Sequence, residues 1–164
     1  MAYESYIKIK GEKQGQLKGS CPKANRTDFI DVISFRMGGI VPVDSNNWKP
    51  KGSRQHSPVI VTLEANAASP QLLQALWTSE VIKEVVIEHV NRTRDGAKEQ
   101  VKERITLTDA VIVAIDRYSA AHAKEKLEHD VDNLEDISFR FRQILVEAPL
   151  ASTSASDDWN TPGG

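Results

Sequence analysis

Residues 52–80 read GSRQHSPVIVTLEANAASPQLLQALWTSE, and three kinds of local structure follow one another within them. Gly52, Arg54 and His56 sit in a polar loop that ends at Pro58. From Val59 to Glu64, Val59, Val61 and Leu63 alternate with Ile60, Thr62 and Glu64. That is a period-two strand, apolar enough on both faces to lie largely buried. Residues 65–68 form a short linker, and Ser69-Pro70 then predicts a helix start. The Ser69 hydroxyl can accept a free N–H of the first turn, and Pro70 sits where no amide hydrogen is needed. Leu72, Leu73, Leu76 and Trp77 follow at helical spacing and predict one apolar stripe facing a core.

On the N-terminal side, residues 6–10 (YIKIK) alternate as a strand ended by Gly11, and the polar residues 12–28 read as loop. Residues 29–37 (FIDVISFRM) form a second strand, with Phe29, Ile33, Phe35 and Met37 on one parity and Ile30 and Val32 on the other. Residues 38–57 hold three glycines, two prolines and two asparagines, too many breakers for a regular element. A structureless loop of this length in a compact domain is usually functional or disordered. Ile40, Val41, Val43 and Trp48 make it too apolar for a disordered linker, so it reads as a protruding loop that docks onto something. Trp48, a large aromatic on a glycine-rich loop, reads as an interface anchor.

On the C-terminal side, residues 81–90 (VIKEVVIEHV) form a strand and residues 92–99 a turn centred on Asp95-Gly96. Residues 101–118 are too long for one flat strand and predict a bend near residues 108–110. The two strands form an antiparallel hairpin. Residues 120–133 are ambiguous between helix and an extended hairpin tip. Residues 134–147 alternate again, with Ile137, Phe139 and Phe141 inward and Ser138, Arg140 and Arg142 outward. Residues 148–164 read as a flexible tail, with Leu150 and Trp159 as its only anchors. Six or more strands, one capped helix and no βαβ alternation predict a mainly β protein: an antiparallel β-barrel, in effect two packed sheets, with one flanking α-helix. Residues 1–147 are expected to form one domain.

Bulk composition narrows the function. The 164 residues are 40% apolar and 27% charged, with a formal net charge of -2 and basic residues spread along the chain. Neither nucleic acid nor a membrane is indicated as partner. The lone cysteine, Cys21, permits no intramolecular disulfide. The opening MAYESYIKIKGEK carries charge at Glu4 and Lys8 and no apolar run, so a cleaved signal peptide is not expected. Chemistry-bearing motifs are missing too: no phosphate-binding glycine loop, HExxH, CxxC or GxSxG occurs. His122 and His129 would share a helix face with Glu125 between them, but a solvated charged face explains them more simply than zinc. Asp130, Asp132, Glu135 and Asp136 lack the glycine and spacing of a calcium loop. Arg54 and His56 can bind an anion, make local hydrogen bonds or meet another subunit. Neither an enzyme nor a cofactor-binding or metal-binding protein is expected.

Taken together, YIKIKGEKQG, IDVISFRMG, residues 52–80, ITLTDAVIVAI, LEDISFRFRQI and a terminal DDW resemble, in order, the haemolysin-coregulated protein (Hcp) family. These are the tube subunits of bacterial type VI secretion systems. Glu64 stands where that family often has a basic residue, and residues 119–133 match it poorly. The resemblance implies hexameric rings that stack into a hollow tube inside a contractile sheath. The tube carries a VgrG-type spike and effector cargo, and passes from the bacterial cytoplasm to the outside without a cleaved signal peptide. Ring closure and stacking need two different contacts, and the protruding loop is the natural stacking element. Its candidate contact residues are Gly39, Val41, Pro42, Val43, Asp44, Trp48, Arg54 and His56. A phage-type tail-tube protein, or a monomeric barrel that binds a small ligand or hydrolyses one, are the alternatives.

Overall fold

In the computed structural model, which describes residues 3–93, 98–119 and 133–160, most of the chain is extended. Its order is β1 (Tyr3–Gly11), β2 (Gly15–Gln16), β3 (Ile30–Arg36), β4 (Gly39–Ile40), β5 (Gln55–His56) and β6 (Val59–Glu64). There follow α1 (Ser69–Trp77), β7 (Val81–Arg92), β8 (Glu99–Ser119), β9 (Asn133–Ala148), a 3-10 turn at Pro149–Ala151 and β10 (Thr153–Asp158).

Six strands close on themselves in the order β9-β6-β3-β1-β7-β8 and back to β9, all neighbours antiparallel. The length of β8 makes closure possible. One edge of it pairs with β7 from Arg92↔Glu99 to Val81↔Val111, and the other pairs with β9 from Arg104↔Glu147 to Ser119↔Asn133. The bend expected near residues 108–110 falls at Asp109, whose φ is 49°. Strand β9 is shared in turn: β6 covers Leu134 to Phe139 of its second edge, and β10 covers Gln143 to Ala148. Closure leaves few open backbone edges and gives the barrel one apolar interior. Ile7, Val61, Ile87, Ile105, Ile137 and Phe139 are fully buried in it.

The β3 pattern resolves differently from a flat alternation. A register shift against β6 between Val32 and Ser34 switches the faces midway. Ile30 and Val32 point inward before it and Phe35 after it, whereas Ile33 and Met37 remain exposed. One extra residue in a strand reverses every face beyond it.

The helix is where expected, but two of its residues are not. Ala68, not Ser69, is the N-cap, and no side chain caps the helix. Ser69 is instead a buried relay: its Oγ accepts from the Asn66 amide at 2.8 Å and donates to the carboxylate of buried Glu135 at 2.9 Å. Arg117 grips the other oxygen of Glu135. Pro70 is in the first turn as expected. The buried stripe is Leu72, Ala75 and, in part, Leu76; Leu73 is only half-buried, and Trp77 is exposed rather than core. A nine-residue helix against a curved barrel end buries a narrow face, and Trp77 falls just past it.

Residues 12–28 are more ordered than a plain loop. β2 pairs with β1, Leu17 is buried, and Arg26 is buried against Glu88 while lying 4.7 Å above the Tyr6 ring. Within the tail expected to be flexible, residues 153–158 add an edge strand to β9 in continuous register. The turn at Asp95-Gly96, both His122 and His129, and the ambiguous residues 120–132 lie outside the described residues.

The β1–β2 turn is held by one buried carboxylate, Glu80. It accepts from the Lys13 amide at 2.5 Å, the Gln14 amide at 2.7 Å and the Gln14 side chain at 2.8 Å. Burial pushes the Glu80 carboxyl up, but these donors outweigh it and hold the group below its ordinary 4.5. A lowered folded value means the stabilisation is fully present above about pH 4.5 and is lost as pH falls through that folded value. Glu80→Gln is therefore expected to cost about 3 kcal/mol at pH 7 and to flatten the acid limb of the stability curve, read by urea unfolding at several pH values.

Candidate assembly hairpin

Residues 38–57, read from sequence as an irregular loop, form a two-stranded ribbon that leaves the barrel between β3 and β6. At its foot β4 pairs with β5 through Gly39↔His56 and Ile40↔Gln55, and the Ser57 amide donates to the Gly38 carbonyl at 2.9 Å. Further out, the Lys51 amide donates to the Pro42 carbonyl at 2.7 Å, and Val43 bridges to Pro50. The tip closes with the Asp44 amide on the Lys49 carbonyl and the Trp48 amide on the Asp44 carbonyl, each 2.9 Å. The Asp44 side chain also accepts the Asn46 amide at 2.8 Å. The prolines and glycines thus shape a ribbon. A Cβ on Gly39 would lie 3.2 Å from the Gln55 carbonyl oxygen, and Gly52 holds φ +88°, a left-handed turn that favours glycine.

The ribbon presents apolar groups to solvent. Trp48 is 80% exposed, Ile40 63%, Val43 53% and Val41 49%. Trp48 also sits at φ 58°, a region a bulky side chain normally avoids. The turn accepts local strain while holding a large aromatic in water.

Arg54 and His56 are brought together, not on an anion, but on one carboxylate of the chain itself. Arg54 Nε lies 2.5 Å and His56 Nε2 2.6 Å from Asp157 Oδ2, while Arg54 also donates to the Asp158 carbonyl at 2.9 Å. The Arg54 guanidinium first, and His56 second, hold the Asp157 carboxyl well below the usual carboxylate range. The His56 ring meets Phe141 edge-on at 5.3 Å and Trp159 at 5.6 Å between centroids. Sequence reasoning missed Asp157, Trp159 and Phe141 as partners of this loop. Their signal was the DDW at residues 157–159, which marks a segment but not what it touches.

Cys21 is half-buried, and burial chiefly pushes its thiol up, away from nucleophile chemistry. Among the described residues no three His, Cys, Asp or Glu side chains are grouped to hold a metal ion, and no helix is long and apolar enough to cross a membrane.

Residues 6–147 match the family described as "Type VI secretion system effector, Hcp". This chain belongs to the Hcp family. It is 32% identical to the "Major exported protein" of Pseudomonas aeruginosa, over 99% of this chain and 98% of that one. Among solved structures, an Hcp protein crystal structure superposes with a TM-score of 0.87 at 29% identity, covering 98% of this chain and 100% of the other. The secreted protein Hcp3 from Pseudomonas aeruginosa gives 0.76 at 28% identity, covering 98% and 100%. The Hcp barrel, with one α-helix among the described residues, is therefore the fold of this chain.

Proposed function

We propose that this Hcp chain is a structural tube subunit: six copies close into a ring, and rings stack through the hairpin into a hollow conduit. The tube would form in the bacterial cytoplasm inside a contractile sheath, carry a spike protein at its tip and effectors in its lumen, and leave the cell when the sheath fires. No catalysis is assigned to it. The observation that carries this reading is the clamped ribbon, which projects from the barrel with Ile40, Val41, Val43 and Trp48 exposed together on it.

The energetics favour rings before stacks. Burying one large apolar side chain stabilises by roughly 1.5–3 kcal/mol, whereas association costs about 4–15 kcal/mol of lost translational and rotational freedom. One hairpin would hold two lone subunits poorly. Several hairpins on one rigid ring engage in parallel, and after the first contact the rest are effectively intramolecular. Such a contact repeated along an axis does not close, so it yields a filament whose length follows ring concentration.

Native mass spectrometry of the purified protein tests the first step. A six-subunit species is expected; a clean monomer at high protein concentration would remove the basis of the reading.

A further inference from the structure

The hairpin does not hold its own pose. Its two arms share the foot pairs Gly39↔His56 and Ile40↔Gln55 and one outer bridge, Val43↔Pro50. An isolated two-stranded ribbon of this kind is marginal in water. Its direction relative to the barrel must come from groups outside it, and the return arm meets them at Arg54 and His56.

We propose that the C-terminal strand β10 and the residue after it act as a latch that sets the hairpin's pose, with Asp157 and Trp159 as the positioning residues. Arg54 Nε and His56 Nε2 on the return arm converge on one oxygen, Asp157 Oδ2, and Arg54 also reaches the Asp158 carbonyl. Trp159 closes over the His56 ring from the C-terminal side, and Phe141 meets the same ring from β9. The latch is in turn fastened to the barrel. Asp157 pairs with Ile144, the Trp159 amide donates to the Arg142 carbonyl at 2.9 Å, and Arg142 bridges Asp158 and Asp109. Arg140 donates to the His56 carbonyl at 3.0 Å. The charges facing this joint balance: Arg54, Arg140 and Arg142 against Asp109, Asp157 and Asp158.

The latch is also the removable part. In the described sheet β10 pairs with β9 alone, and its TSASDD, exposed up to Ser156 and half-buried at Asp157 and Asp158, buries little apolar surface. Elements with few buried contacts open first. Loss of β10 pairing would release Asp157 and Trp159 together and leave the return arm with only the Arg140 and Phe141 contacts from β9, while the closed barrel persisted. The C-terminus thereby controls a tip that lies about a hundred residues away in sequence. The consequence for stacking rests on the tube reading above; the latch itself does not.

The test uses the full chain and separates the two. Asp157→Asn and Trp159→Ala are compared with wild type, with Arg54→Gln removing the same contact from the hairpin side and Trp159→Phe as the conservative variant. Three quantities are read: tryptic cleavage after Lys51, ring mass and ring stacking in the microscope. In the first three variants cleavage after Lys51 is expected to rise about tenfold and stacking to fall, with ring mass and thermal midpoint near wild type. Trp159→Phe is expected to restore both protection and stacking. Cleavage rates equal to wild type in Asp157→Asn and Arg54→Gln would overturn the latch, whatever stacking does. Faster cleavage with undiminished stacking would leave the latch standing and overturn the stacking role of the hairpin.

Discussion

Replacing residues 43–50 by a two-residue Asn-Gly turn is expected to leave the subunit folded and the ring complete while abolishing stacking. The cut is chosen from the ribbon's own hydrogen bonds. Pro42 and Lys51 already face each other, 2.7 Å from carbonyl to amide, so a tight turn can join them without disturbing β4, β5 or the foot. The cut removes Val43 and Trp48, which are 53% and 80% exposed and contribute almost nothing to the barrel core. The thermal midpoint should move by only a few degrees, since surface changes away from buried features cost about 0.5 kcal/mol or less. Stacking, by contrast, should collapse, because the loss recurs at every hairpin of every ring. Filament counts in negative stain, beside ring mass, check it. An unfolded variant would show that the ribbon belongs to the core, and undiminished filaments would show that stacking uses another surface.

Phe139→Ala should do the reverse. Phe139 is fully buried, on the strand where β8 and β6 both pair, opposite Ile112 and Val59. Truncation removes ring packing and leaves a cavity that strands paired on both edges cannot collapse into, costing about 3–5 kcal/mol. For a domain of this size that lowers the thermal midpoint by roughly ten degrees. Trp77→Ala deletes a larger side chain that is 71% exposed, and should change stability by about 0.5 kcal/mol or less. Urea unfolding of both variants tests the contrast. Equal losses would mean that Trp77 is covered in the folded protein after all.

β1, β6 and most of β9 are legible because one face is apolar at period two; β7 and β8 are legible as apolar runs whose inward face switches at irregularities. The bend in β8 was legible from length alone. Trp77 was misplaced because helical spacing defines a stripe but not its width, and a short helix on a barrel end buries little beyond Leu72 and Ala75. The local context of Ser69 permits a cap, but its actual partner, Glu135, is far away in sequence. β10 was hidden because TSASDD pairs through its backbone and carries no apolar alternation. The loop at residues 38–57 was found, and its candidate residues do lie on one projecting element, but its internal pairing is set by backbone hydrogen bonds that composition does not display. Its tether to Asp157 and Trp159 depends on the closed fold and has no local signature.

Electron microscopy of the unmodified protein, at high concentration and under crowding, tests most directly whether this barrel exists to join copies of itself. Six-membered rings stacked into hollow filaments are the expected image, with density for the hairpin reaching from each ring into the next. Single particles of one subunit under every condition would contradict the account.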